Sequence, residues 1–347
     1  MTPPVRLTDL AHGGGCGCKL APSILSQIMA KMPAAGAFRD LLVGTETADD
    51  AAVFRINDRQ AIVATTDFFT PIVDDPFDFG RIAATNALSD VYAMGGTPLL
   101  ALALVGMPVD KLPVEMVQDI LAGGASVCTA AGIPVAGGHS IDSAEPIYGL
   151  AAIGMVDPAR IMRNSAAQRG DQLIVTKRLG VGIYNAALKL QQLDETSYRH
   201  LLASTTQLNS VGAELPGMAG VHAVTDVTGF GLLGHLLEMC RGASLGAGIE
   251  FGKVPLLPNA CRFAESGIGT GGAQRNWASY GDDVDLPGSP PEWQRGILCD
   301  PQTSGGLLIA CAEPAVPSVL DLLARRKFEH SQVIGGFTAG SARVCVR

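Results

Sequence analysis

The stretch QAIVATTDFFTPIVDDPFDFGRIAATNALSDVYAMGGTPLLALALV, residues 60–105, alternates strand and helix patterns. An apolar run at 60–66 predicts a buried strand. Asp78 is in a position to cap a helix that runs to Met94 and ends at a Gly-Gly-Thr-Pro turn. A second apolar strand follows at 99–105. This order predicts a domain of the α+β class.

The alternation continues in both directions from this stretch. The segment before residue 46 contains a short helical pattern from Pro22 to Met32, and a linker from 157 to 170 separates two α+β units. We therefore predict an N-terminal segment (1–45), a first domain (46–157) and a second domain (170–347). The remaining predicted elements are helices at 114–131, 181–190, 201–211 and 232–240, strands at 133–136, 147–156, 171–176, 305–311 and 332–336, and a long loop at 266–291.

Composition excludes several classes of protein. The 347 residues are 47% hydrophobic and 17% charged, as in a folded globular protein, and the net charge is -8. This acidity argues against binding to nucleic acid or to an anionic membrane, but it permits a polyphosphate bridged by divalent cations. We find no signal peptide and no apolar run long enough to span a membrane. The scattered cysteines predict reduced thiols and a cytoplasmic protein.

The segment HGGGCGCK at 12–19 places two cysteines and a lysine among four glycines. Such a chain does not favour a regular helix or strand, but it can fold over a ligand. Lys19 would favour the thiolate form of Cys16 or Cys18. Taken alone, the segment is more typical of a mobile tail with two incidental thiols.

Aspartates recur on separate predicted elements of the chain. Asp50 precedes an apolar stretch, Asp67 closes the strand at 60–66, and Asp90 lies four residues after Asn86 on one helix face. Asp226 occupies a similar place in the second domain. Carboxylates from several elements are how proteins hold Mg²⁺ against a triphosphate, although each aspartate alone could be a cap or a solvated charge.

Two further turns are polar. The Gly-Gly-His-Ser sequence at 137–140 follows a short strand, and as a turn it could offer backbone N–H groups to a phosphate. The segment at 300–306 is a second polar turn that leads into a strand, and a plain loop explains it equally well. The chain lacks the G-x-x-x-x-G-K-[ST] phosphate loop, so phosphate handling would depend on cations and on Lys19.

Together these segments resemble the selenophosphate synthetases (selenide, water dikinases) of the aminoimidazole ribonucleotide synthetase-like superfamily. The resemblance covers nearly the whole chain. The central segment and the Cys-Gly-Cys-Lys loop are specific to that family, whereas the Asp-rich and Gly-Phe-Gly turns are shared by the superfamily. The matching segments are HGGGCGCK at 12–19, TADDAAV at 47–53, residues 65–98, GGHSI at 137–141, TDVTGFGLLGH at 225–235 and DPQTSGG at 300–306.

The resemblance implies a two-domain α+β fold in which the sheet of the first domain contributes to a dimer barrel, followed by an α/β second domain. It implies conversion of ATP, selenide and water to selenophosphate, phosphate and AMP, which supplies activated selenium for selenocysteine and selenouridine. By position, Cys16 and Lys19 match catalytic residues. The implied metal ligands are Asp50, Asp90 and Asp226, and the implied nucleotide contacts are Lys19, Thr47, Ala48, Asp49, Asp67, Asp90, Gly138, His139 and Ser140.

The implied cofactors are several Mg²⁺ ions and a monovalent cation, with ATP as substrate. The implied partners are a second copy of the chain, which could complete the site in trans, and a selenium-delivery protein. We expect the N-terminal loop to be poorly ordered without nucleotide and folded over it when bound. Two alternatives stay open: another kinase of the superfamily, such as a thiamine-monophosphate kinase, and a carrier that uses only Cys16 and Cys18.

Overall fold

The structure is a computed structural model that describes residues 5–31, 38–45 and 48–347. It contains two sheets, each with its own helices, which confirms the predicted α+β class. The elements of the N-terminal segment and first domain are α1 (Pro22–Met29), β1 (Leu41–Val43), β2 (Ala52–Asn57), β3 (Gln60–Phe69), α2 (Pro76–Ala93), β4 (Thr97–Met107), α3 (Val114–Ala130), β5 (Val135–Asp142) and β6 (Ile147–Val156).

The first sheet has the order β1-β2-β3-β6-β4-β5, and α2 and α3 pack together beside it. A Cβ atom on Gly80 would lie 1.9 Å from the carbonyl oxygen of Ile120, so the two helices need glycine at this crossing. Helix α2 begins after Asp75, whose side chain accepts a hydrogen bond from the N–H of Asp78. The predicted cap at Asp78 was wrong, because Pro76 takes the first helical position and Asp78 lies inside the first turn.

The other face of the first sheet is apolar and exposed. Phe68 on β3 and Leu102 on β4 are 48% and 38% exposed, and Phe54 and Ile141 on the neighbouring strands are 46% and 59% exposed. On β3 and β4 the residues on either side of Leu102 and the residues next to Phe68 are buried, as the two-residue period of a strand requires. No described part of the chain covers this face, which we call the open sheet face. An exposed apolar patch on a folded domain is typical of an interaction surface.

The second sheet has the order β10-β13-β9-β12-β7-β11-β8. Its buried strand β11 lies between β7 and β8, with which it pairs in antiparallel fashion. The elements of the second domain are β7 (Gln172–Val175), α4 (Val181–Lys189), α5 (Glu195–Thr205), β8 (Val221–Asp226), α6 (Gly231–Ala243), β9 (Gly246–Ile249), α7 (Ala260–Glu265), α8 (Gly271–Tyr280), β10 (Val284–Asp285), α9 (Glu292–Leu298), β11 (Leu307–Cys311), α10 (Val316–Arg325), β12 (Gln332–Thr338) and β13 (Val344–Val346).

Three predicted elements differ from the structure. The predicted loop at 266–291 contains α8, whose start is capped by the Thr270 side chain despite the glycines that follow it. The predicted helix at 201–211 is α5, which begins earlier, after the cap Asp194, and ends at Thr205. The Gly-Gly-His-Ser sequence is not a turn, because β4 pairs with it in parallel and extends β5 through it.

All eight cysteines are free thiols. No helix in the described ranges is both long enough and apolar enough to cross a membrane.

Candidate active site

Three carboxylates meet where the two domains face each other. Asp50 lies just before β2, Asp90 lies in the last turns of α2, and Asp226 ends β8. One oxygen from each lies within 4.8 Å of the others. We call these three residues the aspartate cluster. The structure therefore brings together the three residues for which the sequence predicts metal binding, from positions far apart in the chain.

Hydrogen bonds orient the cluster but leave part of it unsatisfied. Thr65 donates to Asp90 Oδ2 at 2.5 Å, and Thr225 donates to Asp50 Oδ1 at 2.9 Å. The second oxygens of Asp50 and Asp226 are buried and have no hydrogen-bond partner in the described chain. Buried acceptors without a donor are costly, and a bound cation would satisfy them.

The pKa shifts of the three carboxylates also favour a bound cation. Burial, reinforced by the charge of Asp226, raises the pKa of Asp50 and of Asp90 well above the usual range. Burial also raises the pKa of Asp226, and the nearby His235 and Lys19 offset only part of that rise. Three carboxylates that destabilise one another in this way form a favourable site for a hard divalent cation, and an all-oxygen donor set suits Mg²⁺.

A second group of side chains forms a chain of hydrogen bonds beside the cluster. Lys19 Nζ donates to Asp67 Oδ2 at 3.0 Å, and Asn86 Nδ2 donates to the same oxygen. Asp67 was predicted to close a strand, but β3 continues to Phe69, so Asp67 projects from within the sheet. Burial alone would lower the pKa of Lys19, but the charge of Asp67 is the largest opposing effect, and the pKa lies well above its usual range. Lys19 is therefore a fixed positive charge.

Cys16 completes this chain, which we call the Cys16–Lys19 network. Its side chain is 1% exposed, its Sγ donates to Asn86 Oδ1 at 3.3 Å, and its N–H donates to Thr303 Oγ1 at 2.9 Å. Burial raises the pKa of the Cys16 thiol well above its usual range, and Lys19 offsets only part of the effect. Lys19 thus favours the thiolate form of Cys16, as the sequence predicts, but burial opposes this effect and outweighs it.

The glycine-rich segment is held from both domains. Gly15 N–H donates to the carbonyl of Thr70 in the first domain, at 2.9 Å. From the second domain, Lys189 Nζ donates to the carbonyl of Gly13 at 2.6 Å and Arg275 Nη2 donates to the carbonyl of Gly17 at 2.9 Å. The segment thus lies folded over the site as a lid. Lys189 and Arg275 both lie outside the segments for which the sequence predicts a functional role.

The turn at 300–306 is a buried part of the site rather than a plain loop. Besides Thr303, its Ser304 contacts the network, because the Ser304 N–H donates to Asn86 Oδ1 at 2.7 Å. Asp300 accepts a hydrogen bond from the N–H of Ile183 in the first turn of α4, and burial raises its pKa to about 7. The polar composition of this turn was the only indication in the sequence that it belongs to the site. Its contacts with Asn86 depend on how the two domains pack together, which the composition does not show.

The other predicted nucleotide contacts that the structure describes lie outside this centre. Thr47 falls outside the described residues. Asp49 Oδ1 accepts a hydrogen bond from the N–H of Asn164 at 2.8 Å, and the carbonyl of Ala48 accepts one from the side-chain amide of the same residue. These contacts fix the loop that carries Asp50, so Ala48 and Asp49 lie beside the aspartate cluster without belonging to it.

Gly138, His139 and Ser140 are separated from the network within one chain. Asp67, Leu150, Ala103 and Gly138 form one row across the sheet, on β3, β6, β4 and β5. Three strand spacings along this row amount to about 14 Å. The structure therefore does not bring these three residues to the site of their own chain.

Comparison with known proteins shows which family the chain belongs to. The family model for the N-terminal domain of AIR synthase related proteins matches residues 48–156, and the model for their C-terminal domain matches residues 168–346. The chain is 60% identical to a selenide, water dikinase of Burkholderia ambifaria over 100% of this chain and 98% of the relative. It is also 60% identical to a selenide, water dikinase of Pseudomonas straminea, over 98% of this chain and 96% of the relative.

A solved structure extends the likeness at the level of the fold. A thiamine-monophosphate kinase from Stenotrophomonas maltophilia superposes with a TM-score of 0.65 at 20% identity, over 93% of this chain and 95% of that chain.

Proposed function

This chain belongs to the selenide, water dikinases, a family of AIR synthase related proteins, and we propose that its Cys16–Lys19 network and aspartate cluster together form the catalytic centre of that reaction. The enzyme converts ATP, selenide and water to selenophosphate, phosphate and AMP. The observation that carries the assignment of the site is the continuous hydrogen-bond path from the Cys16 thiol through Asn86 and Asp67 to Lys19. Asp90 lies one helical turn beyond Asn86, so this path runs directly alongside the cluster.

The aspartate cluster would hold Mg²⁺ through the oxygens that have no other partner. When bound, the ions supply positive charge that offsets the repulsion between the carboxylates and the phosphate oxygens of ATP. Thr65 and Thr225 keep two of the carboxylates oriented, and Asp49 anchors the loop that carries Asp50. We propose that the enzyme binds several Mg²⁺ ions and a monovalent cation, as the family resemblance implies.

Lys19 is the group of this chain suited to act on the transferred phosphoryl group. It is cationic, and its partner Asp67 lies next to the cluster, so its ammonium can exchange one carboxylate oxygen for a phosphate oxygen over a short distance. In the first step a Se–P bond forms while the bond from the γ-phosphorus to ADP breaks, and Lys19 stabilises the charge on the γ-phosphoryl oxygens. Water then cleaves ADP to AMP and phosphate.

The lid has two roles in this scheme. It places Cys16 at the site, where the sulfur can position selenium, and it shields the first phosphoryl transfer from water. We propose that it is poorly ordered before nucleotide binds and adopts the observed closed arrangement afterwards. Its backbone hydrogen bonds to Lys189 and Arg275 are then the contacts that form on closure.

The product nucleotide tests the reaction. Purified protein is incubated with ATP and Mg²⁺, with or without selenide, in the absence of oxygen; nucleotides are separated by chromatography and selenophosphate is followed by phosphorus NMR. We expect AMP and selenophosphate in equal amounts, and AMP only when selenide is present. Thiamine monophosphate serves as the control acceptor. ADP as the final product with that acceptor would support the alternative kinase, and no turnover with either would support a carrier.

We also propose that the chain forms a homodimer through the open sheet face. Phe54, Phe68, Leu102 and Ile141 give this face the apolar character of an interface, and a second copy is an occupant for which the family resemblance argues. A dimer would let Gly138, His139 and Ser140 of one copy contact the nucleotide of the other. The dimer would therefore explain how these three residues could contact a nucleotide although they lie far from the Cys16–Lys19 network of their own chain.

Leu102→Asp tests the dimer. We expect the substitution to shift the protein to monomer at micromolar concentration in sedimentation velocity, because it places a charge at the centre of the apolar face. Leu190→Asp is the matched control: Leu190 is 57% exposed but lies at the end of α4 in the second domain. A dimer that persists unchanged in Leu102→Asp would exclude this interface.

Two further proposals concern the cellular compartment and a protein partner. Eight free cysteines are typical of a reducing compartment, which favours the cytoplasm. A selenium-delivery protein would suit a reaction whose free substrate is highly reactive.

A further inference from the structure

A separate cavity of about 320 Å³ lies in the second domain, between the end of β7, helix α5 and the residues after α10. Its size is at the lower end of the range for small-ligand sites. Ser304 divides it from the Cys16–Lys19 network: the Ser304 N–H donates to Asn86, whereas its carbonyl accepts from Lys177, which lines the cavity. The cavity is therefore a different site from the catalytic centre.

The cavity is strongly basic. This is unusual in a protein whose net charge is -8. None of its basic side chains forms an ion pair with a carboxylate within the described ranges, so their charge is not neutralised locally. Five basic side chains and one carboxylate line it, namely Lys177, Arg178, His200, Lys327 and His330, with Glu329.

Two of these side chains have hydrogen-bonding capacity that the protein does not use. Lys177 is 3% exposed, and its Nζ donates to the carbonyls of Gln207 at 2.7 Å and Ser304 at 2.9 Å. Burial lowers the pKa of Lys177 to about 7, and when the group is protonated its third hydrogen lacks an acceptor in the described chain, so a bound anion would favour the protonated form. The Nδ1 atom of His200 is buried and also has no partner there. Unpaired polar atoms of this kind, next to a cavity, indicate a polar ligand.

We propose that this cavity binds a small phosphate-bearing anion. Arg178 and Lys327 supply the charge, His200 and Lys177 supply the unused donors, and a phosphate group has enough acceptor oxygens for all of them. Glu329 on the same wall opposes an anion, but Arg178 and Lys327 together outweigh it. Inorganic phosphate and AMP, two products of the reaction, share this chemistry, so the site would let the enzyme bind its own product away from the catalytic centre.

The test measures binding rather than turnover. Phosphate labelled with ³²P, or labelled AMP, is followed by equilibrium dialysis against the full chain in EDTA, which removes divalent cations and so disfavours phosphate at the aspartate cluster. The variants are Arg178→Gln and Lys327→Gln, singly and together. Arg326→Gln is the matched control, because Arg326 is adjacent in sequence but paired with Glu214 and outside the cavity. Circular dichroism and thermal unfolding in chloride establish that each variant folds.

We expect each single substitution to weaken binding about tenfold, the loss of one charged hydrogen bond, and Arg326→Gln to leave it unchanged. Competition identifies the source: if unlabelled AMP displaces phosphate at lower concentration than phosphate does, the nucleotide is the ligand, and the reverse order identifies inorganic phosphate. No binding of either anion by the native protein, or equal binding by the folded Arg178→Gln and Lys327→Gln variants, would overturn the proposal. The catalytic assignment is unaffected by either result.

Discussion

Cys16→Ser is expected to reduce selenide-dependent AMP formation by roughly 100-fold or more, the scale of losing one proton-transferring or positioning group. The serine hydroxyl is small enough to replace the thiol, and it can donate the same hydrogen bond to Asn86 that Sγ donates. The lid should therefore still close, and ATP affinity should stay nearly unchanged. What is lost is the soft, polarisable atom that suits selenium, so the defect should appear in turnover rather than in binding.

Cys18→Ser is the matched control for this substitution. Cys18 lies two residues away in the same segment, is also a free thiol and is only half-buried. We expect it to keep most of the activity. Rates are measured as AMP formed with selenide in single-turnover and steady-state assays, with nucleotide affinity from calorimetry. Native turnover by Cys16→Ser would remove Cys16 from the mechanism, and equal losses in both variants would indicate a general effect on the lid.

The second large effect is expected at the aspartate cluster. Asp226→Asn should weaken Mg²⁺-dependent ATP binding on the order of 100-fold, because it replaces a charged ligand whose Oδ2 has no other partner with a neutral amide. The same change should raise the thermal unfolding temperature without Mg²⁺, since it removes one of three buried like charges. Weaker Mg²⁺-dependent ATP binding together with higher stability in the absence of Mg²⁺ is the result expected for a metal ligand.

Asp171→Asn provides the comparison. Asp171 is also a buried carboxylate of the second domain, but it pairs with His222 at 2.8 Å and lies outside the cluster. We expect this variant to lose stability and to retain Mg²⁺-dependent ATP binding. Unchanged ATP binding in Asp226→Asn, measured by calorimetry across a Mg²⁺ titration, would contradict metal ligation and leave Asp226 as a structural residue.

The sequence was sufficient for elements with a strong local pattern. The apolar run at 60–66 predicted β3, and the four-residue spacing of Asn86 and Asp90 placed both on one face of α2. Element ends were less certain, because they depend on which of several neighbouring residues takes the cap, as with Asp75 and Asp78. The specific Cys-Gly-Cys-Lys segment led to the family through resemblance, which physical patterns alone would not have identified.

The contacts that close the site could not be predicted from local patterns. Thr303 is 287 residues from Cys16, and Arg275 is 258 residues from Gly17. Such pairs depend on how two domains meet, which no helical or strand period encodes. The effect of burial on the Cys16 thiol could not be predicted for the same reason: the sequence shows the lysine neighbour that favours the thiolate, whereas burial is a property of the assembled site.

The burial of Cys16 has a consequence for the chemical survival of the enzyme. Thiols are oxidised according to their exposure and their thiolate content. In the closed arrangement this sulfur is 1% exposed, and burial raises its pKa, which disfavours the thiolate. Oxidants can therefore reach it only while the lid is lifted. The lid must lift for selenium to reach the sulfur, so the interval in which the enzyme waits for its substrate is also the interval in which oxidation can inactivate it.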